Sequence, residues 1–194
     1  MSDRVRVGVV GVGSIGRHHA RIYADSDVAH LVGVYDLHAD RAIELARTTG
    51  CRAFDELAAL LDGVDAVSVA VPTVAHEDVG LRCLQAGCDA LIEKPIANSI
   101  DAADRLIATA AEEDLLLQIG HVERYNPAVE VLLSRVERPG FVEIHRLGSF
   151  VARGLEVDVI LDLMIHDIDI VHAMVQGDVD EVRAVGVPVL SDEI

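Results

Sequence analysis

The sequence predicts an α/β protein, with a doubly wound parallel sheet of the Rossmann type followed by an incomplete α+β second domain. Short apolar runs alternate with amphipathic helical patterns up to Gly120, which is typical of βαβ units. A glycine-rich turn, Gly11–Gly16, joins the first apolar run to the first helical pattern. The second apolar run ends at Asp36, close to the spacing of about 20 residues that is found in dinucleotide-binding folds.

Local signals support each predicted element of the first domain. The predicted strands are Val5–Val10, His30–Tyr35, Arg52–Phe54, Ala66–Val71, Asp89–Ile92 and Leu115–Ile119. The predicted helices are Ser14–Ala24, Ala39–Thr48, Asp55–Leu61, His76–Ala86 and Ser99–Glu113. Gly50 and Gly87 follow helix ends, where a left-handed conformation is common, and Asp55 and Ser99 are predicted N-caps. Together these elements complete a dinucleotide-binding domain over residues 1–120.

A different pattern follows Gly120 and predicts a partial α+β domain, over residues 121–194, that contributes substrate-binding and catalytic groups. The predicted elements are a helix at Asn126–Glu137, a half-buried strand at Phe141–Phe150, a long helix at Val157–Val175 and a strand at Glu181–Pro188. With at most two strands and two helices, this region is too short for a comfortable independent domain. We therefore expect a fragment, a truncated product or one part of a split protein.

The glycine-rich turn predicts a phosphate-binding loop. Gly11 permits a tight turn, Gly13 lets the backbone approach a pyrophosphate, and Gly16 lets the helix pack close to the strand. Ser14 and Ile15 lie at the helix N-terminus, where free N–H groups and the helix dipole attract anions. The alternative is a glycine-rich hairpin turn with an unrelated surface aspartate, which the agreement between motif and context disfavours.

Asp36 predicts which cofactor the loop binds. A carboxylate at the end of the second strand can accept hydrogen bonds from the ribose hydroxyls of adenosine and repels a 2′-phosphate. The next residues are Leu37 and His38, so no arginine is available there to hold an extra phosphate. We therefore expect NAD as the cofactor, rather than NADP.

Two further strand ends carry polar residues. In an open α/β sheet, ligands bind beyond the carboxyl ends of the strands. Glu93 and Lys94 follow the fifth strand and are predicted cofactor contacts. Lys94 is expected to face the nicotinamide half of the cofactor and to stabilise negative charge on a substrate oxygen. The alternative is a surface Glu–Lys pair on a loop. The predicted cofactor contacts at the end of the fourth strand are Pro72, Thr73 and His76, whereas His18 and His19 are interpreted as a solvated or packing pair.

The long predicted helix carries Asp162, His166 and Asp169. Spacings of four and three residues place all three on one face of a helix that is apolar enough to be largely buried. A histidine there can take a proton from an alcohol, and Asp162 can orient it. The alternatives are a structural His–Asp pair and a zinc or manganese site. We expect no metal, because no second histidine with ligand spacing lies on this face.

The segment that joins the two regions contains Arg124, Tyr125 and Asn126. Their hydrogen-bond donors suit a polyhydroxylated or phosphorylated substrate. The alternative is a polar linker in which Asn126 caps the following helix.

Composition excludes several classes of partner. The formal net charge of −17 argues against nucleic acid and anionic membranes as main partners. The three cysteines have no zinc-like spacing, which predicts reduced thiols in a cytoplasmic protein. The apolar runs are shorter than the roughly 18 residues that a membrane span requires.

The motifs, in this order, resemble the glucose-fructose oxidoreductase, inositol dehydrogenase and MocA (Gfo/Idh/MocA) family of NAD(P)-dependent sugar oxidoreductases. The resemblance rests on Gly11–Gly16, Asp36, Glu93-Lys94-Pro95 and the Asp162–Asp167 helix. It implies that Lys94, Asp162 and His166 form the catalytic group, with His166 or Lys94 as the acid/base, and that a small-molecule sugar or cyclitol is oxidised.

Two further expectations follow from this resemblance. The stretch from Gly120 to Pro127 resembles members that oxidise nucleotide-linked sugars such as UDP-sugars. Family members also continue into a large open sheet that often forms an oligomer interface, so a homo-oligomer is expected when the second domain is complete. The rival hypothesis is a truncated, non-catalytic NAD-binding module.

Overall fold

Six parallel strands form the sheet at the centre of the first of two units. The computed structural model describes residues 4–147, 158–175 and 177–187, and the chain divides into Met1–Gly120 and His121–Ile194. The strands are β1 (Val5–Val10), β2 (Ala29–Tyr35), β3 (Arg52–Phe54), β4 (Ala66–Val69), β5 (Asp89–Ile92) and β6 (Leu117–Ile119). Their order across the sheet is β3-β2-β1-β4-β5-β6. The predicted doubly wound parallel sheet is confirmed.

Five helices connect these strands. They are α1 (Gly16–Ala24), α2 (Ala39–Thr49), α3 (Leu57–Leu61), α4 (His76–Gln85) and α5 (Ile100–Glu112), with a short 3-10 turn at Thr73–Ala75 before α4. The chain winds outward from β1 in both directions, so the strand order reverses between β1 and β4. The carboxyl ends of these two strands therefore border the crevice in which doubly wound sheets bind their ligands.

Alternate residues of β1 face opposite sides of the sheet and enter two aliphatic cores. Val9 is buried in a cluster with Ala20 of α1 and Ala42 of α2. Val10 is buried in a cluster with Leu84 of α4 and Leu106 of α5. Burial on both faces explains why the strands are nearly continuous apolar runs that sequence patterns locate well.

Several element ends differ from the predictions. Helix α1 begins at Gly16 and not at Ser14, and β4 ends at Val69 and not at Val71. Asp55 is not the cap of α3, because that helix starts at Leu57 with Glu56 before it and has no side-chain capping bond. Ser99 does cap α5, since its hydroxyl oxygen accepts a hydrogen bond from the N–H of Ala102. Gly50 and Gly87 both have the predicted positive φ.

The described part of the second unit is helical. It contains a 3-10 turn (Val122–Tyr125), α6 (Pro127–Arg135), a π-helical turn (Ile160–Met164) and α7 (Ile165–Met174). The predicted strands at Phe141–Phe150 and Glu181–Pro188 are wrong for their described residues, 141–147 and 181–187, which form no strand. An unpaired strand leaves its backbone donors and acceptors unsatisfied, and the described residues after Gly120 offer no second strand to pair with. The remaining residues of both predictions, 148–150 and 188, lie outside the described residues.

Burial is unequal in the two units. Met174 is the single buried apolar residue among the described residues that follow Gly120. The predicted burial of the long helix is therefore wrong in the described structure, where Leu163, Met164 and Ile168 are each at least 40% exposed. An apolar helix face becomes buried only when another element packs on it. Within the described residues, every helix is too short or too polar to cross a lipid bilayer.

Candidate functional site

The glycine-rich loop follows β1, and its glycines meet different surroundings. Gly11 has φ of 82°, and a Cβ there would lie 2.8 Å from the carbonyl oxygen of Ala70. A Cβ on Gly16 would overlap the carbonyl oxygen of Gly11. A Cβ on Gly13 would have no atom of the described chain within 4 Å. The protein's own packing thus requires Gly11 and Gly16, whereas Gly13 borders open space that a ligand can occupy.

The N-terminus of α1 is open to an anion. Ile15 occupies the N-cap position, no side chain of the described residues caps the helix, and no acidic residue lies in its first turn. Ser14 and Ile15 are both exposed. Uncapped N–H groups and the positive end of the helix dipole make such a terminus a binding site for phosphate groups.

Asp36 is held against the glycine-rich loop. One carboxylate oxygen accepts a hydrogen bond from the N–H of Val12 at 2.8 Å, and the other accepts one from the N–H of His38 at 2.8 Å. The N–H of Gly11 also donates to the carbonyl oxygen of Tyr35, at 2.8 Å. Each carboxylate oxygen keeps a second lone pair, so Asp36 can still accept hydrogen bonds from a ribose. Its bond to Val12 was not evident from the sequence.

The residues after β4 differ in what they offer a cofactor. Pro72 is exposed, while Thr73 is buried in the first position of the 3-10 turn. The ring nitrogens of His76, which is fully buried, lie 2.8 Å from the carbonyl oxygen of Pro95 and 2.9 Å from that of Val71. Both nitrogens thus engage the protein, and the contact between His76 and a cofactor stays a prediction. Instead, His76 joins the loop after β4 to the turn after β5.

Glu93 is the first residue of the turn after β5. Its carboxylate is the last member of a hydrogen-bonded series of polar side chains. Its carboxylate lies 2.9 Å from Nε2 of His19, and Nδ1 of His19 lies 3.2 Å from the hydroxyl oxygen of Ser68. The same hydroxyl lies 2.7 Å from that of Tyr23. Burial alone would raise the pKa of Glu93, but His19 and Lys94 outweigh it and the pKa is lowered. Glu93 is therefore held as the anion.

Sequence reasoning missed this chain of contacts and interpreted His18 and His19 as one solvated or packing pair. His18 is exposed, whereas His19 is half-buried. The available signal was Ser68, a lone hydroxyl among the apolar residues of β4. A hydroxyl that is 0% exposed needs a hydrogen-bond partner.

Lys94 lies in the same turn and is half-buried. Its backbone N–H donates a hydrogen bond to the second carboxylate oxygen of Glu93 at 3.3 Å, and the Lys94–Pro95 peptide bond is cis. The turn is thus attached on two sides, by Glu93 to helix α1 and by the carbonyl of Pro95 to His76. These contacts set the path of the backbone from which the lysine side chain extends.

Asp162 and His166 lie at the start of the long helix of the second unit. Asp162 is in the π-helical turn, and His166 is in the first turn of α7. Both residues are half-buried. Single π-helical turns occur often at functional sites, because they displace side chains from the regular helical register.

Arg124 and Asp169 form a bidentate ion pair. Nε and Nη2 of Arg124 each donate a hydrogen bond of 2.7 Å to the carboxylate of Asp169, whose side chain is 11% exposed. The hydrogen bonds from Arg124 lower the pKa of Asp169, burial opposes them, and the charges of His121, Arg124 and His166 lower it further. Arg146 and Asp167 form a second bidentate pair, which lowers the pKa of Asp167 in the same way.

The three predicted substrate-binding residues are placed differently from one another. Arg124 uses two donors on Asp169 and keeps others available. Tyr125 is 66% exposed. Asn126 caps α6, because its side-chain oxygen accepts from the N–H of Ala128 and its amide donates to Glu123. A substrate contact by Asn126 stays a prediction, since its amide keeps a second N–H donor.

The described residues contain no group of three or more histidine, cysteine or acidic side chains arranged to hold a metal ion. The first unit provides a glycine-rich loop with open space beside Gly13, an uncapped helix N-terminus, a carboxylate fixed next to the loop and a lysine at a neighbouring strand end. The second unit provides a histidine and an aspartate near the start of one helix. This combination is typical of a dinucleotide-dependent oxidoreductase.

Comparison with known sequences identifies the family. Residues 5–121 match the GFO/IDH/MocA oxidoreductase family, which is described as having an NAD-binding Rossmann fold. The chain therefore belongs to this family, as the resemblance of its motifs predicted.

Individual relatives extend the match along the chain. UDP-N-acetylglucosamine 3-dehydrogenase from Acidithiobacillus ferrooxidans is 44% identical over 97% of this chain and 60% of its own length. Inositol 2-dehydrogenase from Rubrobacter xylanophilus is 32% identical over 95% of this chain and 56% of its own length. The chain thus spans little more than half the length of these curated relatives.

Solved structures share the fold. The structure of the A. ferrooxidans enzyme superposes with a TM-score of 0.92 over 98% of this chain and 63% of that chain. GenD2 from gentamicin A biosynthesis, solved in complex with NAD, is 28% identical and has a TM-score of 0.77 over 90% of this chain and 54% of that chain.

Proposed function

We propose that this chain is the cofactor-binding and catalytic part of an NAD-dependent oxidoreductase that oxidises a sugar, a cyclitol or a nucleotide-linked sugar at a CH–OH carbon. The observation that carries the proposal is the glycine-rich loop, with open space beside Gly13, an uncapped helix terminus and the carboxylate of Asp36 fixed next to it. These residues fit the pyrophosphate and the adenosine ribose of a dinucleotide.

We propose NAD rather than NADP as the cofactor. Asp36 is held as a hydrogen-bond acceptor by two backbone N–H groups, and its negative charge opposes a 2′-phosphate. Leu37 and His38 follow it, so the adjacent sequence supplies no arginine for that phosphate.

The proposed chemistry removes a hydride and a proton from the same CH–OH group. Bound NAD supplies the hydride acceptor. His166 takes the hydroxyl proton as the C–O bond becomes a carbonyl, and Asp162 orients the imidazole. Lys94 stabilises the negative charge that develops on the substrate oxygen. Lys94 is the alternative proton acceptor.

The relatives favour a nucleotide-linked sugar as substrate. The match to a UDP-N-acetylglucosamine 3-dehydrogenase is 44% identical, whereas the match to an inositol 2-dehydrogenase is 32% identical. The exposed residue Tyr125 and the remaining donors of Arg124 are proposed contacts to that substrate.

A second candidate function is a non-catalytic NAD-binding module or one part of a split enzyme. The exposed apolar side chains of the second unit favour it, since a working substrate site requires an ordered wall around the reacting carbon. In either case we propose a cytoplasmic protein, because Cys51, Cys83 and Cys88 are free thiols. We also propose that exposed apolar surface of the second unit mediates homo-oligomer formation when that domain is complete.

Titration of NAD and NADP into the purified chain, by calorimetry and thermal unfolding, tests the cofactor proposal. Free NAD at 100 times its dissociation constant stabilises the folded chain by about 2.7 kcal/mol, and NADP at the same concentration has a much smaller effect. Failure of a cooperatively folded sample to bind either nucleotide would contradict the proposal.

The variant His166→Asn tests the catalytic proposal in an assay of NAD reduction with a panel of UDP-sugars and inositols. We expect turnover to fall by a factor of about 10² to 10⁴ with little change in NAD affinity, because only proton transfer is removed. His172→Asn, on the same helix, is the matched control and should keep its activity. Equal losses of turnover and NAD affinity in the His166 variant would indicate a structural histidine. No reduction of NAD by a wild-type chain that binds it would favour the non-catalytic module.

A further inference from the structure

The polar chain Tyr23–Ser68–His19–Glu93 connects three elements of the first unit. Tyr23 and His19 lie one turn apart on α1, Ser68 lies in β4, and Glu93 follows β5. The contacts along it measure 2.7, 3.2 and 2.9 Å. Ser68 is fully buried, and the side chains of His19 and Glu93 are each less than a fifth exposed. Polar groups that are buried to this degree and joined in series fix one another's positions.

The donor and the acceptor of each hydrogen bond along this series of side chains can be assigned in order, starting from Glu93. Glu93 as the anion only accepts, so Nε2 of His19 must donate to it. In the tautomer that carries its proton on Nε2, Nδ1 accepts from the hydroxyl of Ser68. The hydroxyl oxygen of Ser68 then accepts from the phenol of Tyr23. Every contact is satisfied in this arrangement, and all of them act on the carboxylate of Glu93.

The carboxylate of Glu93 is also enclosed by the backbone around it. Its second oxygen accepts from the N–H of Lys94, and a Cβ added to Gly120 would lie within 3.0 Å of the carboxylate atoms. Space for the carboxylate therefore exists because residue 120 is a glycine. On the far side of Lys94, His76 holds the carbonyl oxygen of Pro95 at 2.8 Å. The backbone of Lys94 is thus held from both directions.

We infer that His19 is a positioning residue that anchors Glu93 and thereby orients the side chain of Lys94 toward the reacting atoms. The inference rests on the proposed function, in which Lys94 acts on the reacting hydroxyl of the substrate. Helix α1 would then have two roles. Its N-terminus would bind the phosphates of the cofactor, and His19 would fix the turn that contains Glu93 and Lys94.

The sequence allows a direct measurement of this effect, because Lys94 is its single lysine among fifteen arginines. Reductive methylation with ¹³C-formaldehyde labels Lys94 and the N-terminal amine and preserves both positive charges. The methyl resonance of Lys94 then reports the environment of one known side chain. In the wild-type chain, we expect this resonance to be displaced from its position in urea and to move again when NAD is added.

Two substitutions of His19 separate the hydrogen bond from simple packing. In His19→Asn the amide lies near the former Nδ1 and cannot reach Glu93, so the displacement of the Lys94 resonance from its urea position should be largely lost, together with its response to NAD. In His19→Gln an N–H donor lies near the former Nε2, so most of the displacement should return. His18→Asn changes the exposed neighbouring histidine and should behave as the wild type does.

Controls distinguish the possible failures. Calorimetry should give the His18 and His19 variants the NAD affinity of the wild type, because the glycine-rich loop and Asp36 are unchanged. If the wild type does not bind NAD, the proposed function fails, while the comparison of resonances without NAD still decides the role of His19. A wild-type resonance in the His19→Asn variant would overturn the inference, as would equal losses in the Asn and Gln variants. If His19→Asn does not fold, Glu93→Gln replaces it and should lose the displacement in the same way.

Discussion

Gly13 and Gly16 belong to one motif, but a side chain is excluded at the two positions for different physical reasons. Gly16 is required by the protein itself, because a Cβ there would overlap the backbone of Gly11. Gly13 has free space where its side chain would point. Its lack of a side chain therefore matters only when a ligand fills that space. Two single substitutions can separate these demands.

We predict that Gly13→Ala leaves thermal stability nearly unchanged and weakens NAD binding by at least a factor of about 10, which corresponds to roughly 1.4 kcal/mol. Gly16→Ala should instead destabilise the folded chain by about 1–3 kcal/mol, because the backbone must move to admit the methyl group. Thermal unfolding without ligand and calorimetry with NAD measure the two effects. Gly140→Ala, which also adds a Cβ in open space, is the matched control. Normal NAD affinity in Gly13→Ala would refute the assigned role of this position.

At the scale of single residues, the sequence was informative where the requirement is local. Gly11, Gly16 and Asp36 follow from the motif and its spacing. The pairing of His19 with Ser68 does not, because 49 residues and a change of element separate the two. Contacts of this kind depend on which strand lies beside which helix, and no local pattern encodes that.

At the scale of elements, the helix that carries His166 is fixed by two arginines from other segments. Arg124 pairs with Asp169, and Arg146 pairs with Asp167. Both pairs are bidentate, so each restricts the rotation of the helix as well as its position. In the described structure, the second unit has little buried apolar area. These two ion pairs are therefore expected to contribute a large part of the interactions that hold the helix in place.

The pKa values of both aspartates are lowered, and this determines the sign of a pH effect. A carboxylate with a lowered pKa in the folded state contributes stability that is complete above its unfolded value of about 3.8. That contribution is lost as the pH falls through the folded value. Acidification below about pH 4 should therefore loosen the helix.

We predict that Asp169→Asn lowers the free energy of unfolding at pH 7 by about 1 kcal/mol, a modest value because Arg124 is half exposed. The difference from the wild type should shrink as the pH falls from 5 toward 2. Urea unfolding followed by circular dichroism across this range gives both quantities. Glu143→Gln, which breaks an exposed pair with His145, should have no measurable effect. A constant difference at every pH would show that the charge of Asp169 is unimportant.

The predicted elements were accurate for strands that are buried on both faces. They were inaccurate where a strand forms only if another segment pairs with it. Strands β1 and β5 have their predicted bounds, since an apolar run between turn residues is sufficient to define them. Alternation at residues 141–147 predicted a strand but did not produce one. A strand exists only beside another strand, and the described residues of the second unit provide none.

At the scale of the whole molecule, nearly all of the buried apolar surface belongs to the first unit. Both aliphatic cores lie within residues 7–110, on the two faces of the sheet. The second unit has large apolar side chains that are mostly exposed, including Phe141 and Leu147. The two units should therefore differ sharply in their resistance to unfolding.

We predict that a chain ending at Gly120 folds cooperatively and binds NAD as tightly as the full sequence does. The physical reason is that the glycine-rich loop, Asp36 and both cores lie within it. Chemical denaturation and NAD calorimetry on the shortened chain test this prediction. The full chain provides the comparison, and a loss of cooperativity on removal of residues 121–194 would show that the second unit is needed for folding.

The bond between Asp36 and Val12 also constrains how cofactor preference can change in evolution. The carboxylate proposed to exclude a 2′-phosphate also accepts the N–H groups of Val12 and His38, so it shapes the loop on which the phosphates rest. An asparagine at this position places its oxygen before only one of these two donors and an N–H₂ group before the other. Replacing Asp36 to admit NADP is therefore expected to disturb the loop as well and to lower the affinity for NAD and NADP alike. A second substitution that restores the shape of the loop would then be needed.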